Sequence, residues 1–151
     1  GVVSQMLEVS QQFGPGVVAV EPVSWDVIHN YGVVEVSPAE ERLQKISRLV
    51  EKPSLQEAPS NLAVVGRYVL PPEIFDCLER TAAGAKGEIQ LTDALVLLLE
   101  SQDLYAYEFR GTRYDGGSPL GLLRASLEFA LARPDTCEAA RALLAGLGEV
   151  N

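Results

Sequence analysis

A carboxylate and an ammonium group stand side by side in Val50-Glu51-Lys52-Pro53, at the end of a run of alternating apolar residues (43–50). Alternation followed by proline predicts a strand that ends in a turn. Neighbouring strand residues point to opposite faces, but the break at Pro53 can turn both charges towards one ligand. The ammonium group can then meet a phosphate, and the carboxylate can accept hydrogen bonds from sugar hydroxyls. The alternative is a solvated surface pair.

Two glycines and one aspartate are further candidates for chemistry. Gly32 begins an apolar run, and the absence of a side chain there would let a ligand lie against the backbone. Gly66 interrupts a run that otherwise resembles a strand, which predicts a bulge or a close backbone approach. Asp115 stands in a Tyr-Asp-Gly-Gly turn and could be a metal ligand. Taken alone, the glycines are also compatible with ordinary strand positions and Asp115 with a solvated turn residue.

The composition describes an acidic globular protein of 151 residues, with a net charge of −9 and 47% hydrophobic residues. Its scattered basic residues do not form the cluster that nucleic-acid binding requires. No stretch is apolar enough to span a membrane, and no signal-peptide pattern opens the chain, so we expect a cytoplasmic location. Cys77 and Cys137 are predicted to be free thiols, and His29, the single histidine, a surface residue.

Hydrophobic periodicity predicts strands alternating with helices, which is an α/β class with a mixed sheet. Proline and glycine mark most of the boundaries, and Ser118-Pro119 is predicted to be an N-cap followed by proline at the first helical position. Ser24 is a second N-cap candidate. The polar segment 37–42 is predicted to be a turn between two strands. The predicted strands are 16–21, 31–36, 43–50, 61–70 and 104–109. The predicted helical segments are 1–13, 24–30, 94–99, 118–134 and a last one that includes 139–147. One more helix is predicted to begin at Pro71-Pro72, with Ile74, Phe75 and Leu78 on its apolar face.

The order and spacing of these motifs closely resemble the C-terminal half of bacterial UTP–glucose-1-phosphate uridylyltransferases, which belong to the sugar-nucleotide pyrophosphorylase superfamily. The resemblance extends from near the N-terminus to about Pro134 and is most specific between Glu51 and Asp93. It rests on Glu51-Lys52-Pro53 together with NYGVVE (30–35), APSNLAVVGRY (58–68), GEIQLTDA (87–94) and GTRYDGG (111–117).

This resemblance implies a role for each candidate residue. Lys52 would hold the sugar phosphate, Glu51 would accept glucose hydroxyls, and Gly32 and Gly66 would let the hexose pack against the backbone. Asp115 would be one of two ligands of a catalytic Mg²⁺, so that Lys52 and Asp115 form the catalytic pair. The chain has Gly116 and Ser118-Pro119 where the family has cysteine and aspartate or asparagine. The resemblance gives Gln90 and Asp93 no chemistry, and helix initiation is an alternative role for Asp93.

The family's N-terminal half, with its glycine-rich nucleotide loop and first metal ligand, has no counterpart in this sequence. We therefore expect a partial Rossmann-like nucleotidyltransferase fold, with residues 1–134 forming the sugar-binding half and residues 135–151 a C-terminal helix and tail. Such a fragment is expected to be inactive alone. An exposed sheet edge and an exposed apolar face would favour association, either as a homo-oligomer or with the missing half. The alternatives are a non-catalytic sugar-phosphate-binding or assembly module, and a related pyrophosphorylase that uses another sugar phosphate or dTTP.

Overall fold

The computed structural model describes residues 1–84 and 87–148. The chain forms two compact units, Gly1–Gly111 and Thr112–Asn151. Within the described ranges, the first unit holds five strands and three α-helices, and the second unit holds two α-helices. Among the described residues, no helix combines the length and apolar content that crossing a bilayer requires.

The first unit begins with helix α1 (Val2–Phe13) and strand β1 (Val17–Pro22). Strand β1 is buried on both faces because its side chains alternate between two apolar clusters. Val17 and Ala19 pack in the cluster that includes Met6 of α1. Val18 and Val20 belong to the larger cluster on the opposite face. The continuous apolar run at 16–21 correctly predicted a buried strand.

A 3-10 helix (Trp25–Asn30) leads into the hairpin of β2 (Gly32–Glu40) and β3 (Leu43–Glu51). Ser24 takes the expected N-cap position, but its hydroxyl donates to the Asp26 carboxylate. The predicted turn over 37–42 is wrong in extent, since β2 continues to Glu40 and the turn contains only two residues. The exposed end of β2 is polar because it faces solvent, and Pro38 is tolerated there beside an irregularity in the pairing.

Strand β4 (Leu62–Val69) and strand β5 (Tyr105–Glu108) complete a mixed sheet that closes on itself in the order β1-β4-β2-β3-β5. Strands β1 and β5 are parallel, and the other neighbouring pairs are antiparallel. Each of the five described strands therefore has two neighbours. The expectation of an exposed sheet edge is wrong, whereas the α/β class with a mixed sheet is confirmed.

Two short helices, α2 (Ile74–Arg80) and α3 (Leu91–Leu99), pack on the same apolar cluster as Val18 and Val20. The apolar run 94–99 of α3 is buried only in part, since Leu95 and Leu98 are at most 1% exposed but Val96 is 40% exposed. In α2 the predicted apolar face is only partly correct: Ile74 is buried, but Phe75 is 68% exposed. Residues 85 and 86, which come between α2 and α3 in sequence, lie outside the described residues.

The second unit consists of α4 (Pro119–Ala132) and α5 (Cys137–Gly148) with the turn that precedes them. The predicted cap of α4 is confirmed, because the Ser118 hydroxyl accepts a hydrogen bond from the Gly121 N–H at 3.1 Å. None of the described side chains of α4 is fully buried, and Leu120 in its first turn is 75% exposed. Residues 149–151 of the predicted tail lie outside the described part of the chain. Both cysteines are free thiols, as predicted.

Candidate functional site

A cleft of about 230 Å³ opens where the end of β3 meets the start of β2, the middle of β4 and the first turn of α3. Three of the residues selected from the sequence, Gly32, Glu51 and Gly66, line this cleft. Of the ten described residues that line it, Glu51 alone carries a formal charge. The full set is Asn30, Tyr31, Gly32, Glu51, Val64, Gly66, Tyr68, Gln90, Leu91 and Thr92.

Glu51 is the last residue of β3 and pairs with Gly32 at the start of β2. Its side chain is 30% exposed, so the carboxylate is partly shielded but reachable from solvent. The Thr92 hydroxyl donates a hydrogen bond to Oε2 at 2.7 Å. A carboxylate has about four acceptor positions, and further donors can therefore approach from the cleft.

Gly32 provides the space in which the Glu51 carboxylate lies. A Cβ atom at position 32 would be 3.1 Å from Glu51 Oε2 and 3.5 Å from Thr92 Oγ1. Such distances are tight, so any side chain at position 32 would push on the carboxylate or on the hydroxyl. A side chain at position 32 would therefore displace the Glu51 carboxylate from its place in the cleft.

Lys52 follows directly and has a left-handed backbone, with φ of 45°. This conformation costs a residue with a side chain about 1–2 kcal/mol, and such strain is found preferentially at functional sites. The Lys52 N–H donates to the Tyr31 carbonyl at 3.0 Å, and buried Pro53 follows it. The predicted strand end entering a turn is confirmed. The Lys52 Nζ lies 3.8 Å from Glu51 Oε1 and is not part of the cleft lining.

Gly66 sits in a bulge of β4, as its place in the sequence predicted. Val18 of β1 pairs with Tyr68 of β4, and Val20 pairs with Val64. Two steps along β1 thus correspond to four steps along β4, so β4 contains extra residues at Gly66. Gly66 has φ of +75°, a conformation that residues with a Cβ atom adopt at a cost. No atom lies within 4 Å of where a Cβ would be, so glycine is favoured here by the backbone rather than by crowding.

Tyr68 lies in the cleft two residues beyond Gly66 and was not among the residues selected from the sequence. Burial raises the pKa of the Tyr68 hydroxyl above its usual value, and the negative charge of Glu51 adds to this rise. The sequence did carry a signal for it, since alternate residues of a strand share a face. Thr92 and Asn30 were also missed as individual residues. Thr92 reaches the cleft because α3 packs against the strands, which no local pattern encodes, and Asn30 ends the 3-10 helix two residues before Gly32.

Asp115 belongs to the second unit, in the turn that leads into α4. Its Oδ1 accepts a hydrogen bond from the Gly117 N–H at 2.9 Å, and its side chain is exposed. Gly121 has no room for a Cβ atom, because one would meet the Asp115 carbonyl oxygen. Among the described residues, no group of three His, Cys, Asp or Glu side chains converges as a metal site.

Asp93, another acidic residue singled out from the sequence, is exposed in the first turn of α3, where a negative charge favours helix initiation.

Sequence comparison identifies the family. The family model described as nucleotidyl transferase matches residues 3–130. The chain belongs to the nucleotidyl transferase family. The curated relatives of this chain include the UTP–glucose-1-phosphate uridylyltransferase of Staphylococcus epidermidis, which is 42% identical over 142 residues, 94% of this chain and 49% of that protein.

Solved structures agree with this assignment to the nucleotidyl transferases. A UDP-glucose pyrophosphorylase in complex with UDP-glucose matches with a TM-score of 0.80 and 42% identity over 87% of this chain and 50% of that one. UTP-bound UDP-glucose pyrophosphorylase from Acinetobacter baumannii matches with a TM-score of 0.82 and 37% identity over 99% of this chain and 50% of that one. The chain spans about half the length of the curated relatives it matches.

Proposed function

We propose that this chain is the C-terminal, sugar-binding half of a UTP–glucose-1-phosphate uridylyltransferase, which makes UDP-glucose and pyrophosphate from UTP and glucose 1-phosphate. One observation carries the proposal: Gly32, Glu51 and Gly66 line a single cleft, and the Lys52 ammonium group lies 3.8 Å from the Glu51 carboxylate. A carboxylate next to a cation suits a ligand that carries both hydroxyls and a phosphate. The similarity to uridylyltransferases supports the choice of substrates.

The cleft would bind the hexose of glucose 1-phosphate. Glu51 would accept hydrogen bonds from sugar hydroxyls, and the backbone at Gly32 and Gly66 would let the ring approach closely. Lys52 would lie at the phosphate, where its charge matters in a protein whose net charge is −9. A buried polar group matched to a hydroxyl discriminates strongly between sugars, so Glu51 would also contribute to specificity. In this proposal residues 1–134 form the sugar-binding half and residues 135–151 a C-terminal extension.

The reaction needs little covalent chemistry from the protein. An oxygen of the sugar phosphate, already ionised at neutral pH, attacks the α-phosphorus of UTP. The bond to the bridging oxygen breaks, and pyrophosphate leaves with its electron pair. Catalysis then depends on alignment of the two substrates and on stabilisation of negative charge. Lys52 supplies a positive charge at the sugar phosphate, and the cleft fixes the direction from which that phosphate attacks.

Asp115 is the residue of this chain that would hold a catalytic Mg²⁺. Its carboxylate is exposed and offers a hard oxygen donor, and the Gly117 N–H orients it. Magnesium commonly takes one or two carboxylates and completes its shell with phosphate oxygens and water, so a single carboxylate from this chain fits. Bound magnesium would shield the charge of the phosphates.

The nucleotide loop and the first metal ligand would be provided by the other half of the enzyme. We therefore expect this chain alone to bind glucose 1-phosphate but not to form UDP-glucose. Calorimetry with glucose 1-phosphate and an assay of UDP-glucose formation, on the chain and on the full-length protein that contains it, test this. The proposal is contradicted if the full-length protein makes no UDP-glucose, and turnover by the rigorously purified chain contradicts its inactivity.

The same assays decide between the alternatives. A sugar-phosphate-binding or assembly module would bind glucose 1-phosphate without turnover in the full-length protein. A related pyrophosphorylase would prefer another sugar phosphate, or dTTP over UTP. Side-by-side kcat/KM values for glucose 1-phosphate and galactose 1-phosphate, and for UTP and dTTP, separate these alternatives from the uridylyltransferase.

We also propose that the protein forms a homo-oligomer. The support comes from exposed apolar side chains, because the closed sheet leaves no strand edge for pairing between chains among the five described strands. In α4, Leu120, Leu123 and Phe129 are more than half exposed, as are Leu143 and Leu147 in α5. Clusters of exposed apolar residues mark association surfaces in soluble proteins. Analytical ultracentrifugation over a range of concentrations tests this, and a monomer at the highest concentration contradicts it.

A further inference from the structure

The segment around Gln90 and Thr92 has no part in the proposed function so far, yet it lines the cleft. Helix α3 begins at Leu91, so Thr92 stands in its first turn with the side chain at the cleft. Forty-one residues separate Thr92 from Glu51 in sequence, and the Thr92 hydroxyl nevertheless donates to Glu51 Oε2 at 2.7 Å. An ionised carboxylate can only accept hydrogen bonds, which fixes the threonine as the donor.

This hydrogen bond restricts a side chain that would otherwise be free to rotate. A glutamate loses considerable rotamer freedom when it is fixed. The two oxygens of Glu51 have different neighbours: Oε2 accepts a hydrogen bond from the Thr92 hydroxyl, and Oε1 lies 3.8 Å from the Lys52 Nζ. The carboxylate is therefore oriented before any ligand arrives, with Oε1 turned towards the cation.

We propose that Thr92 is a positioning residue for sugar recognition: it orients the Glu51 carboxylate so that the remaining acceptor positions face the hydroxyls of the hexose. The inference rests on the proposed function. Preorganisation lowers the cost of binding because the group is already ordered. Without the hydroxyl, Glu51 would still be present but would have to be ordered by the sugar itself. The loss should then fall on affinity for glucose 1-phosphate and on discrimination between hexoses.

Two substitutions separate the hydroxyl from the shape of the side chain. Thr92→Val keeps the branched shape and removes the donor, and Thr92→Ser keeps the donor and removes a methyl group. A charge-assisted hydrogen bond of this kind corresponds to about a tenfold change in binding. We expect Thr92→Val in the full-length protein to raise KM for glucose 1-phosphate about tenfold, to leave KM for UTP unchanged, and to narrow the preference for glucose over galactose 1-phosphate. Thr92→Ser should restore most of the loss.

Thr81→Val is the matched control. The Thr81 hydroxyl also makes a side-chain hydrogen bond, to the Cys77 carbonyl at 2.8 Å, and it is buried at the end of α2, outside the cleft lining. Its replacement should lower the melting temperature and leave both KM values unchanged. This control distinguishes a general loss of stability from a change in the sugar site.

The outcomes separate the two proposals. If the wild-type full-length protein makes no UDP-glucose, the proposed function is overturned and this inference with it. If the wild type is active but Thr92→Val has the wild-type KM for glucose 1-phosphate, only the inference is overturned. The same holds if Thr92→Val raises both KM values equally, or if Thr92→Ser is as impaired as Thr92→Val.

Discussion

The Lys52 Nζ lies 3.8 Å from Glu51 Oε1, although neighbouring residues of a regular strand point to opposite faces. The left-handed backbone at Lys52 brings the two charges to the same side. Lys45, further back on β3, also pairs with a carboxylate, since its Nζ is 2.8 Å from Asp103 Oδ1. Both lysines are substantially exposed, but Glu51 lines the cleft and Asp103 does not. The chain thus supplies a test lysine and a matched control.

Replacing Lys52 should weaken catalysis much more than replacing Lys45. In the full-length protein we expect Lys52→Ala to lower kcat/KM for glucose 1-phosphate about ten- to a hundred-fold, because a charge-assisted contact with the phosphate is lost. Lys45→Ala should remain within about twofold of wild type, as expected for an exposed ion pair. Steady-state kinetics of both variants check this. Equal effects of the two substitutions would contradict the role given to Lys52.

A methyl group at position 32 should disturb the site with little effect on the fold. In Gly32→Ala the new Cβ would crowd Glu51 Oε2 and Thr92 Oγ1, both of which are ends of side chains that can move. We expect affinity for glucose 1-phosphate to fall about tenfold, while the free energy of unfolding changes by less than about 1 kcal/mol. Calorimetry and urea unfolding measure the two quantities.

Gly146→Ala is the control for Gly32→Ala. Gly146 lies inside α5, and a Cβ atom added there would have no neighbouring atom within 4 Å. Alanine should stabilise this helix by about 0.5–1 kcal/mol without changing affinity for glucose 1-phosphate. Wild-type affinity in Gly32→Ala, or a loss of affinity in Gly146→Ala, would contradict the assignment of Gly32 to the sugar site.

Local patterns predicted the ends of β3 and α4 because the determinants are local. Strand β3 ends at Glu51, two residues before Pro53, and Ser118 with Pro119 begins α4, as sequence alone indicates. The polar end of β2 was predicted to be a turn because its residues face solvent, and backbone pairing with β3 was not visible. Exposure of Phe75 was missed because a helical apolar spacing does not specify which of its members packs.

The part of the candidate site that was predicted consists of residues whose type alone suggested a role. Gly32, Glu51 and Gly66 were selected from the sequence, and all three line the cleft. Tyr68 was not selected although it alternates with Gly66 along β4, and Thr92 was not selected because its position depends on the packing of α3 against the strands. Contacts over such separations follow from the whole fold rather than from neighbouring residues.

Tyr68 predicts a loss of stability at alkaline pH. Its folded-state pKa is raised above the usual 10.0, first by burial and then by the charge of Glu51. Below pH 10.0 both folded and unfolded states keep the proton, and the contribution of Tyr68 to stability is fully present. As the pH rises further, the unfolded state releases its proton first, so this contribution is lost.

Urea unfolding of the chain at about pH 8 and above pH 10 measures this loss. Tyr68→Phe removes the ionisable group but keeps the ring, so its stability should fall less between the two pH values than that of wild type. Tyr68→Phe lacks one tyrosine titration that wild type has. The difference in phenolate absorbance between the two proteins should show that this titration lies above pH 10.0. An identical pH dependence in the two proteins would show that Tyr68 ionises equally in both states.

Asp115 predicts a dependence on magnesium that a substrate-binding residue would not have. Asp115→Asn keeps an acceptor for the Gly117 N–H and removes the charge, so the turn should survive while the metal ligand is weakened. In the full-length protein we expect about a tenfold or greater loss of kcat at low magnesium, partly recovered at high magnesium. Asp135→Asn is the control, because that carboxylate is exposed and paired with Arg133 at 2.6 Å in the same unit. Titrating magnesium against rate for wild type and both variants decides the matter: a wild-type magnesium requirement in Asp115→Asn, or an altered one in Asp135→Asn, would refute the metal-ligand role.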